Sequence, residues 1–409
     1  MLRKAIIFLI GGCLLVTQCR CADAGHGRVV SGKIEVAAYY FGNYHKDRRN
    51  EALHGDGWSE WKLVKEAKPR FAGHRQPKVP CWGYEDEADP QVMAKKIAAA
   101  AKYGVDAFIF DWYYYEDGPF LERALDEGYL KAKNCGDVKF ALMWANHDWT
   151  DVHPRRRMDR SPRLLHPGRV SPAQFSRICE LVISRYLRHP AYWKIEGKPY
   201  FSIYEIPEFL RNFGGSVEIA KDALAQFRRQ AADAGLPGLH LNAIYSSQRI
   251  LPNETAAGDA FELMKFLGFD SVTSYTWLHH VEMPELETRF DYVRDGYLVE
   301  WSRIAHRFGI PYFPNASVGW DSSPRADQRD EYGICGYPFC PVIVDSSPAK
   351  FRKSLEMIRD RLDADLSLPR IVTVNSWNEW TEGSYLEPDE EHGYGYLEAI
   401  RQVFGNKTK

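Results

Sequence analysis

The sequence lacks an excess of charge of either sign. Lysine and arginine total 53, aspartate and glutamate total 55, and the formal net charge is −2 at pH 7. Such a balance offers no broad basic surface, so we expect no nucleic-acid partner. The sequence also has no internal repeat and no low-complexity linker. We therefore expect residues 25–409 to form one domain and the protein to be a monomer.

Long apolar runs are absent after the N-terminal region, so no later segment is predicted to be transmembrane. Near the N-terminus, two basic residues precede a short apolar run, and Ala22-Asp23-Ala24 matches a small-x-small cleavage pattern. This pattern predicts a signal peptide over residues 1–24 and a mature chain that begins near Gly25. We expect export to the periplasm, the cell surface or the medium. Cys19 and Cys21 leave a lipoprotein open, and membrane association is expected only with such an anchor.

Cysteine is scarce, since three of the eight cysteines lie in the predicted leader. The odd number that remains does not define a disulfide framework. Cys335 and Cys340 flank a turn-like segment, which leaves a disulfide between them open in an oxidising compartment. There is no C-x-x-C pattern. His279 and His280 are adjacent, so their side chains point apart, and no third ligand is suitably spaced. We expect no metal.

What the sequence does contain is a regular alternation of β-like runs and helical patterns. Eight short apolar runs predict parallel strands buried on both faces. They cover residues 34–41, 105–112, 139–145, 199–204, 239–245, 271–277, 312–318 and 370–376, and helices are predicted at 90–103, 120–133, 172–187, 216–234, 292–308 and 348–362. The connection over 42–89 is long and rich in aromatic residues, so we expect it to be ordered and functional. The pattern predicts an α/β fold, a (β/α)8 TIM barrel with long βα loops forming the active-site cleft.

Aromatic residues make up 14% of the chain. A large core explains most of them, but flat rings also stack on the C–H faces of pyranoses. In a barrel, chemistry lies at the C-terminal ends of the strands, and polar and aromatic residues collect there. This distribution is typical of a carbohydrate cleft. The candidate substrate-binding residues are Tyr40, Asp111, Trp112, Trp144, Asn146, His147, Asp148, Tyr204, Tyr275, Trp277, Trp320, Asn375, Trp377, Asn378 and Trp380.

Structural explanations stay open for some of these residues. Asp111 is also suited to capping the turn after its strand, and His147 with Asp148 is suited to a hydrogen-bonded pair under a loop. The arginine-rich run over 153–163 is typical of a solvated loop, although it also suits an anionic glycan.

The sharpest signal is the segment 375–383, NSWNEWTEG, which follows the eighth predicted strand. Glu379 and Glu382 are three residues apart, and on a helical turn this spacing places Cβ atoms roughly 5–6 Å apart. Glycoside hydrolysis uses two carboxyl groups near one sugar, one protonated and one ionised. The alternative is that both glutamates stabilise a helix N-terminus. The adjacent Trp377 and Trp380 favour catalysis.

The block Asn378-Glu379-Trp380-Thr381-Glu382-Gly383, followed by Leu386-Glu387-Pro388, resembles the signature of glycoside hydrolase family 99 and the related WbsX-type domains. Trp144-Ala145-Asn146 with Trp149 resembles a second WbsX-type block. This resemblance implies an exported or lumenal barrel glycosidase, EC 3.2.1.-, that cleaves α-mannosidic linkages with retention. It implies a carbohydrate substrate and neither a metal nor an organic cofactor.

The resemblance also implies a division of labour. Glu379 acts as base on the substrate's own 2-hydroxyl, whose oxygen attacks the anomeric carbon to give a 1,2-anhydro sugar. Glu382 protonates the leaving oxygen and then activates water. His147-Asp148 stands where the WbsX-type block usually has Glu-Asn, so the sugar need not be mannose.

Two alternatives stay open beside a glycosidase. One is a non-catalytic glycan-binding barrel. The other is a glycosyltransferase, an older label of WbsX-type domains. The predicted leader argues against transfer, because nucleotide-sugar donors are cytosolic.

Overall fold

The structure of the chain, a computed structural model, describes residues 32–253 and 260–405. The predicted signal peptide over residues 1–24 and the start of the mature chain near Gly25 lie outside the described residues, so both stay predictions. Within the described residues, no helix is long and apolar enough to cross a membrane. Cys335 and Cys340, for which a disulfide was left open, are both free thiols.

Eight strands, the seventh in two halves, form a nearly closed ring of parallel neighbours. They are β1 (Glu35–Tyr40), β2 (Ala107–Tyr115), β3 (Lys139–Trp144), β4 (Lys198–Ile203), β5 (His240–Ile244), β6 (Ser271–Thr273), β7 (Tyr312–Phe313 and Asn315–Ser317) and β8 (Ile371–Asn375). The first half of β7 pairs with β6 and the second with β8, and β8 pairs with β1. Because nearly every strand residue is buried, the strands read as apolar runs. The predicted TIM barrel is confirmed.

Ten α-helices lie within the described residues. They are α1 (Arg48–His54), α2 (Trp61–Glu66), α3 (Pro90–Tyr103), α4 (Pro172–Val182), α5 (Ile206–Arg211), α6 (Val217–Asp233), α7 (Ala260–Leu267), α8 (Phe290–Ile304), α9 (Pro348–Ala364) and α10 (Gly395–Phe404). The start of α3 follows the sequence signal, because Asp89 accepts a hydrogen bond from the Gln91 N–H (2.7 Å) and Pro90 needs no donor there. Gly104 ends the helix at φ 89°.

The helix predicted over 120–133 is confirmed only in its middle part, residues 123–129. Gly118–Phe120 instead pairs antiparallel with the end of β2, which removes the start of the predicted helix. Ala124–Tyr129 forms a π-helical turn. Gly128 in that turn lies so close to the Glu87 carbonyl oxygen that an added Cβ would be 2.0 Å from it. Contact with the preceding loop therefore overrides the helical pattern.

Short elements complete the fold. Strand pairs join Trp149–Thr150 to Leu164–His166, Lys194–Ile195 to β4, Glu287–Arg289 to Val342–Val344, and Asn378–Glu379 to Ser384–Tyr385. Single turns are formed by Ile183–Leu187 (π) and by Trp277–His279, Ser323–Arg325 and Trp380–Glu382 (3-10).

The long connection from β1 to α3 is ordered, as predicted. It contains α1 and α2, and Trp58 and Trp61 are buried. The Trp61 ring lies 4.2 Å from Tyr44 and 5.8 Å from Trp380, measured between ring centroids. The connection therefore packs against the segment that follows β8, at the C-terminal end of the barrel.

Candidate active site

The segment after β8 forms a tight hairpin that carries both glutamates. Glu379 ends its first short strand, Glu382 ends the following 3-10 turn, and Gly383 has φ 62°. A Cβ at Gly383 would lie 2.7 Å from the Cβ of Asp321. Both the positive φ and this close approach therefore favour glycine. The backbone N–H of Asp321 also donates to the Glu382 carbonyl (2.5 Å). Asp321, in the segment that follows β7, thus fixes the turn that carries Glu382.

Glu379 and Glu382 line one cavity of about 710 Å³, including its open mouth. Both are buried, with 2% and 6% of their surface exposed. The wall also contains six of the predicted substrate-binding residues: Asp111, His147, Asp148, Tyr204, Tyr275 and Trp320. Side chains from several strand ends thus converge on the glutamates, and direct contact of these residues with a sugar stays a prediction.

The other nine predicted substrate-binding residues lie away from the cavity wall, in the packed interior. They are Tyr40, Trp112, Trp144, Asn146, Trp277, Asn375, Trp377, Asn378 and Trp380. The reason is the alternation of side chains along a strand. Asp111 lines the cavity, whereas its neighbour Trp112 contacts Tyr186 on the helical side. Trp144 likewise stacks on Phe175 of α4. Their positions suit support of the site rather than direct contact with a sugar.

Asn378 and Trp380 anchor the hairpin to neighbouring segments through side-chain hydrogen bonds. The Asn378 amide accepts from the Phe41 N–H and donates to the Phe41 carbonyl, both at 2.8 Å. Trp380 Nε1 donates to Glu387 Oε2 (2.8 Å). Glu387 also ion pairs with Lys96 of α3 (2.6 Å), which pairs in addition with Glu87. This buried triad therefore supports the residues on either side of Glu379.

Arg325, which follows β7, joins the two glutamates directly. Its Nη2 donates to Glu379 Oε1 (2.7 Å) and its Nη1 to Glu382 Oε1 (2.6 Å). Its Nε donates to Glu60 Oε1 (2.7 Å), just before α2. The Tyr337 hydroxyl also donates to Glu382 Oε1 (2.8 Å). One buried guanidinium thus faces three buried carboxyl groups.

Burial and charge give these carboxyl groups different proton affinities. Burial raises the pKa of Glu379 well above its ordinary value, and the nearby Glu382 adds to this rise against Arg325. Burial also raises the pKa of Glu382, opposed by Arg325 and Tyr337. For Glu60, burial is outweighed by the charge of Arg325 and by hydrogen bonds from Thr381 and Arg325, so its pKa is lowered. A protonated and an ionised carboxyl can therefore coexist here at neutral pH.

Burial keeps several of the other titratable wall residues neutral. Burial lowers the pKa of His153 and of His279 to about 3, and it lowers the pKa of His147. Burial raises the pKa of Asp111 well above its ordinary value, although the Tyr275 hydroxyl donates to it (2.8 Å). The cavity thus combines neutral polar groups and aromatic rings around the charged cluster. Within the described residues, histidine, cysteine, aspartate and glutamate side chains form no group of three or more that could hold a metal ion.

Sequence reasoning missed Glu60, Arg325 and Tyr337. One signal was available for Glu60, because Trp58-Ser59-Glu60-Trp61 repeats the W-x-E-W pattern of Trp377-Asn378-Glu379-Trp380. No spacing pattern marks Arg325 or Tyr337, since their contacts with Glu382 join residues 57 and 45 positions apart. Tyr113, Trp149, His153 and His279 are further wall residues that were not predicted.

The chain thus has a TIM-barrel fold with a pair of buried glutamates at one cavity. The model of the family described as "Glycosyltransferase WbsX" matches residues 36–400. The chain belongs to this family.

The chain is similar to curated proteins in sequence and to solved structures in fold. The chain is 27% identical over 376 residues to "Uncharacterized protein WxcX" from two strains of Xanthomonas campestris pv. campestris, which covers 90% of the chain and 49% of each relative. It therefore spans about half the length of the curated relatives it matches. Among solved structures, the GH99 endo-alpha-mannosidase from Bacteroides thetaiotaomicron matches with a TM-score of 0.52 at 14% identity, over 91% of this chain and 96% of that one. A "Glycoside hydrolase-like protein" matches with a TM-score of 0.57 at 14% identity, over 92% and 95%.

The Lys96 triad generates a stability prediction. Replacing Lys96 by Met leaves Glu87 and Glu387 buried without a counter-charge, which we expect to lower the free energy of unfolding by roughly 3–5 kcal/mol. Urea unfolding measures the loss. The matched control is Lys95→Met, because Lys95 is 38% exposed and pairs with Glu85 at the surface. That variant should lose at most about 1 kcal/mol, and equal losses in the two variants would contradict a supporting role for the triad.

Proposed function

We propose that the protein is a glycosidase that hydrolyses α-linked, mannoside-like glycans with retention of configuration. The observation that supports this most is the pairing of Glu379 and Glu382 on one arginine at the wall of a single cavity. Two carboxyl groups with separated proton affinities at one sugar are what acid and base catalysis of glycoside cleavage needs. The α-mannoside preference is carried over from the described activity of the GH99 endo-alpha-mannosidase.

The proposed chemistry uses the sugar's own 2-hydroxyl as the nucleophile. Glu379 Oε1 is engaged by Arg325, whereas the buried Oε2 has no hydrogen-bond partner among the residues that the structure describes. This free oxygen is suited to accept the proton of the 2-hydroxyl. The hydroxyl oxygen then attacks the anomeric carbon, the glycosidic bond breaks, and Glu382 donates its proton to the leaving oxygen. In the second step Glu382 takes a proton from water, whose oxygen attacks the anomeric carbon and breaks its bond to the 2-oxygen, and Glu379 returns its proton to that oxygen.

The remaining wall of the cavity is compatible with a polyhydroxylated ligand. Trp149 and Trp320 contribute aromatic surface. Asp111 Oδ2 accepts from Tyr275, and its buried Oδ1 has no partner in the described part of the chain. A buried polar oxygen without a partner favours a ligand whose hydroxyl groups can hydrogen-bond to it. A non-catalytic glycan-binding barrel uses the same wall, so turnover is the property that separates the two functions. We further propose that the protein acts outside the cytoplasm, as its predicted leader implies.

The acid role of Glu382 can be tested by substitution. Replacing Glu382 by Gln removes the proton donor, so we expect kcat to fall by roughly 10²–10⁴-fold on glycans with a poor leaving group. Product sizes from a panel of α-linked oligo- and polysaccharides, read by chromatography, give the rates. Glu331→Gln is the control, because the Glu331 side chain is 91% exposed. Unchanged turnover in Glu382→Gln would rule out the assignment.

The stereochemistry of the first product tests the mechanism. Two successive inversions, one on forming the 1,2-anhydro sugar and one on opening it, give a product with the configuration of the substrate. Proton NMR of the anomeric signal, recorded early in the reaction before mutarotation, distinguishes the two anomers. An inverted first product would exclude this mechanism while leaving glycosidase activity intact.

Glycosyl transfer is the second candidate, because the family is described as a glycosyltransferase. A transferase binds a nucleotide-sugar donor and passes the sugar to an acceptor other than water. If the protein is a hydrolase, GDP-mannose and UDP-glucose should leave its melting temperature unchanged. A concentration-dependent rise with either donor, together with transfer to a glycan acceptor, would favour the transferase.

A further inference from the structure

The number of hydrogen-bond donors differs among the three carboxyl groups around Arg325. Glu60 accepts from Arg325, Thr381 and Asn43. Glu382 accepts from Arg325 and Tyr337 through Oε1. Glu379 accepts from Arg325 through Oε1, and its Oε2 has no partner within residues 32–253 and 260–405. Donors favour the ionised form of a carboxyl group, so proton affinity should rise from Glu60 to Glu382 to Glu379.

Charge balance is consistent with this order of proton affinities. Three ionised carboxylates around one guanidinium would leave a buried net charge of −2, which is costly. Glu60 is fully buried and is the carboxyl group with the most donors, so it is the permanent counter-ion of Arg325. Glu60 therefore balances most of the positive charge of Arg325, and Glu379 and Glu382 share the rest. The directions of the three pKa shifts agree with this assignment.

We propose that Arg325 is a positioning residue that holds Glu379 and Glu382 as one proton-sharing pair, and that Glu60 and Tyr337 set the proton affinity of this pair from opposite sides. The proposal rests on the proposed function, in which the two glutamates are the reacting groups. Glu60 strengthens the pair's hold on its proton through its negative charge. Tyr337 weakens that hold by donating a hydrogen bond to the ionised Glu382.

Substrate binding then settles which glutamate carries the proton. In the empty cavity, the proton lies on Glu379, the member of the pair with fewer donors. A sugar hydroxyl that donates to Glu379 Oε2 supplies the missing donor and favours the ionised form. The proton leaves Glu379 and is taken up by Glu382, so the charge of the pair is unchanged. Glu379 becomes the base and Glu382 the acid only when a hydroxyl occupies that position.

Other titratable groups face the cluster from neighbouring elements. They are Tyr44 after β1, Asp111 and Tyr113 of β2, His147 and His153 after β3, and Tyr275 after β6. All of them are present in the variants below. If the pH–activity profiles of two variants move in opposite directions, the difference is therefore due to the residue that was replaced.

The test compares two nearly isosteric variants. Glu60→Gln removes a negative charge beside the pair, so both of its pKa values should fall and the pH–activity profile should move to lower pH. Tyr337→Phe removes a donor to ionised Glu382, so both values should rise and the profile should move to higher pH. The profiles are recorded with the panel glycan that the wild type hydrolyses fastest. A purely structural role predicts lost activity without displacements in opposite directions.

Matched controls isolate the cluster. Tyr192→Phe removes a buried hydroxyl that donates to the Tyr200 carbonyl, beside the start of β4, and it should leave the profile in place. Arg325→Gln should lower kcat by roughly 10²-fold through misplacement of the pair, whereas Arg325→Lys, which keeps the charge, should recover part of this loss. Thermal unfolding identifies any variant that does not fold. If Glu60→Gln does not fold, Tyr337→Phe against Tyr192→Phe still decides the role of Tyr337.

A second readout does not depend on turnover. NMR titration of the glutamate carboxyl carbons in ¹³C-labelled protein, without any glycan, reports the protonation of Glu379 and Glu382 directly. Signals are assigned with the Gln variant at each position. If no glycan is hydrolysed, the proposed function fails, but opposite displacements in the Glu60→Gln and Tyr337→Phe titrations still support the inference. Displacements in the same direction, or none, overturn it even in an active enzyme.

Discussion

The site depends on the neutralisation of buried carboxylates by one guanidinium. Arg325, Glu60, Glu379 and Glu382 are all withdrawn from water, so none of the charges is tolerable without the others. They come from three parts of the chain: Glu60 from the connection after β1, Arg325 from the segment after β7, and both Glu379 and Glu382 from the hairpin after β8. The requirement for charge balance therefore ties three βα loops together. The order of the long first connection follows from it, because Glu60 reaches Arg325 only when that connection is folded against the barrel.

A second cation-centred cluster lies on the other side of the same hairpin. Lys96 neutralises Glu87 and Glu387, and through Asn378 and Trp380 this triad holds the residues that flank Glu379. The two clusters use similar chemistry but differ in access. The Lys96 triad is sealed in the interior, whereas Glu379 and Glu382 line the cavity. Access thus separates the cluster that supports the hairpin from the cluster that is suited to react.

Much of the fold could be predicted from the sequence, because strands buried on both faces must be apolar runs. The glutamate pair could be predicted for a related reason, since carboxylates directly after such a run are out of place in a core. The finer assignment of wall residues was less accurate. Adjacent residues such as Asp111 and Trp112 were both placed in the site, although alternation along a strand sends only one of them inward. Arg325 and Tyr337 could not be found, because nothing local in the sequence encodes a contact between distant loops.

Likeness to solved structures at 14% identity shows the fold and leaves the chemistry of the site to the side chains present. In this chain, the two glutamates are held by the same guanidinium, so a change in the protonation of one is felt by the other. A pair coupled in this way is suited to a reaction in which the acid and base roles are fixed only after the sugar is bound. The unoccupied acceptor at Glu379 Oε2 is where that selection would begin. In the proposed mechanism, the selection of a hydroxyl beside the anomeric carbon would then follow from electrostatics as much as from the shape of the cavity.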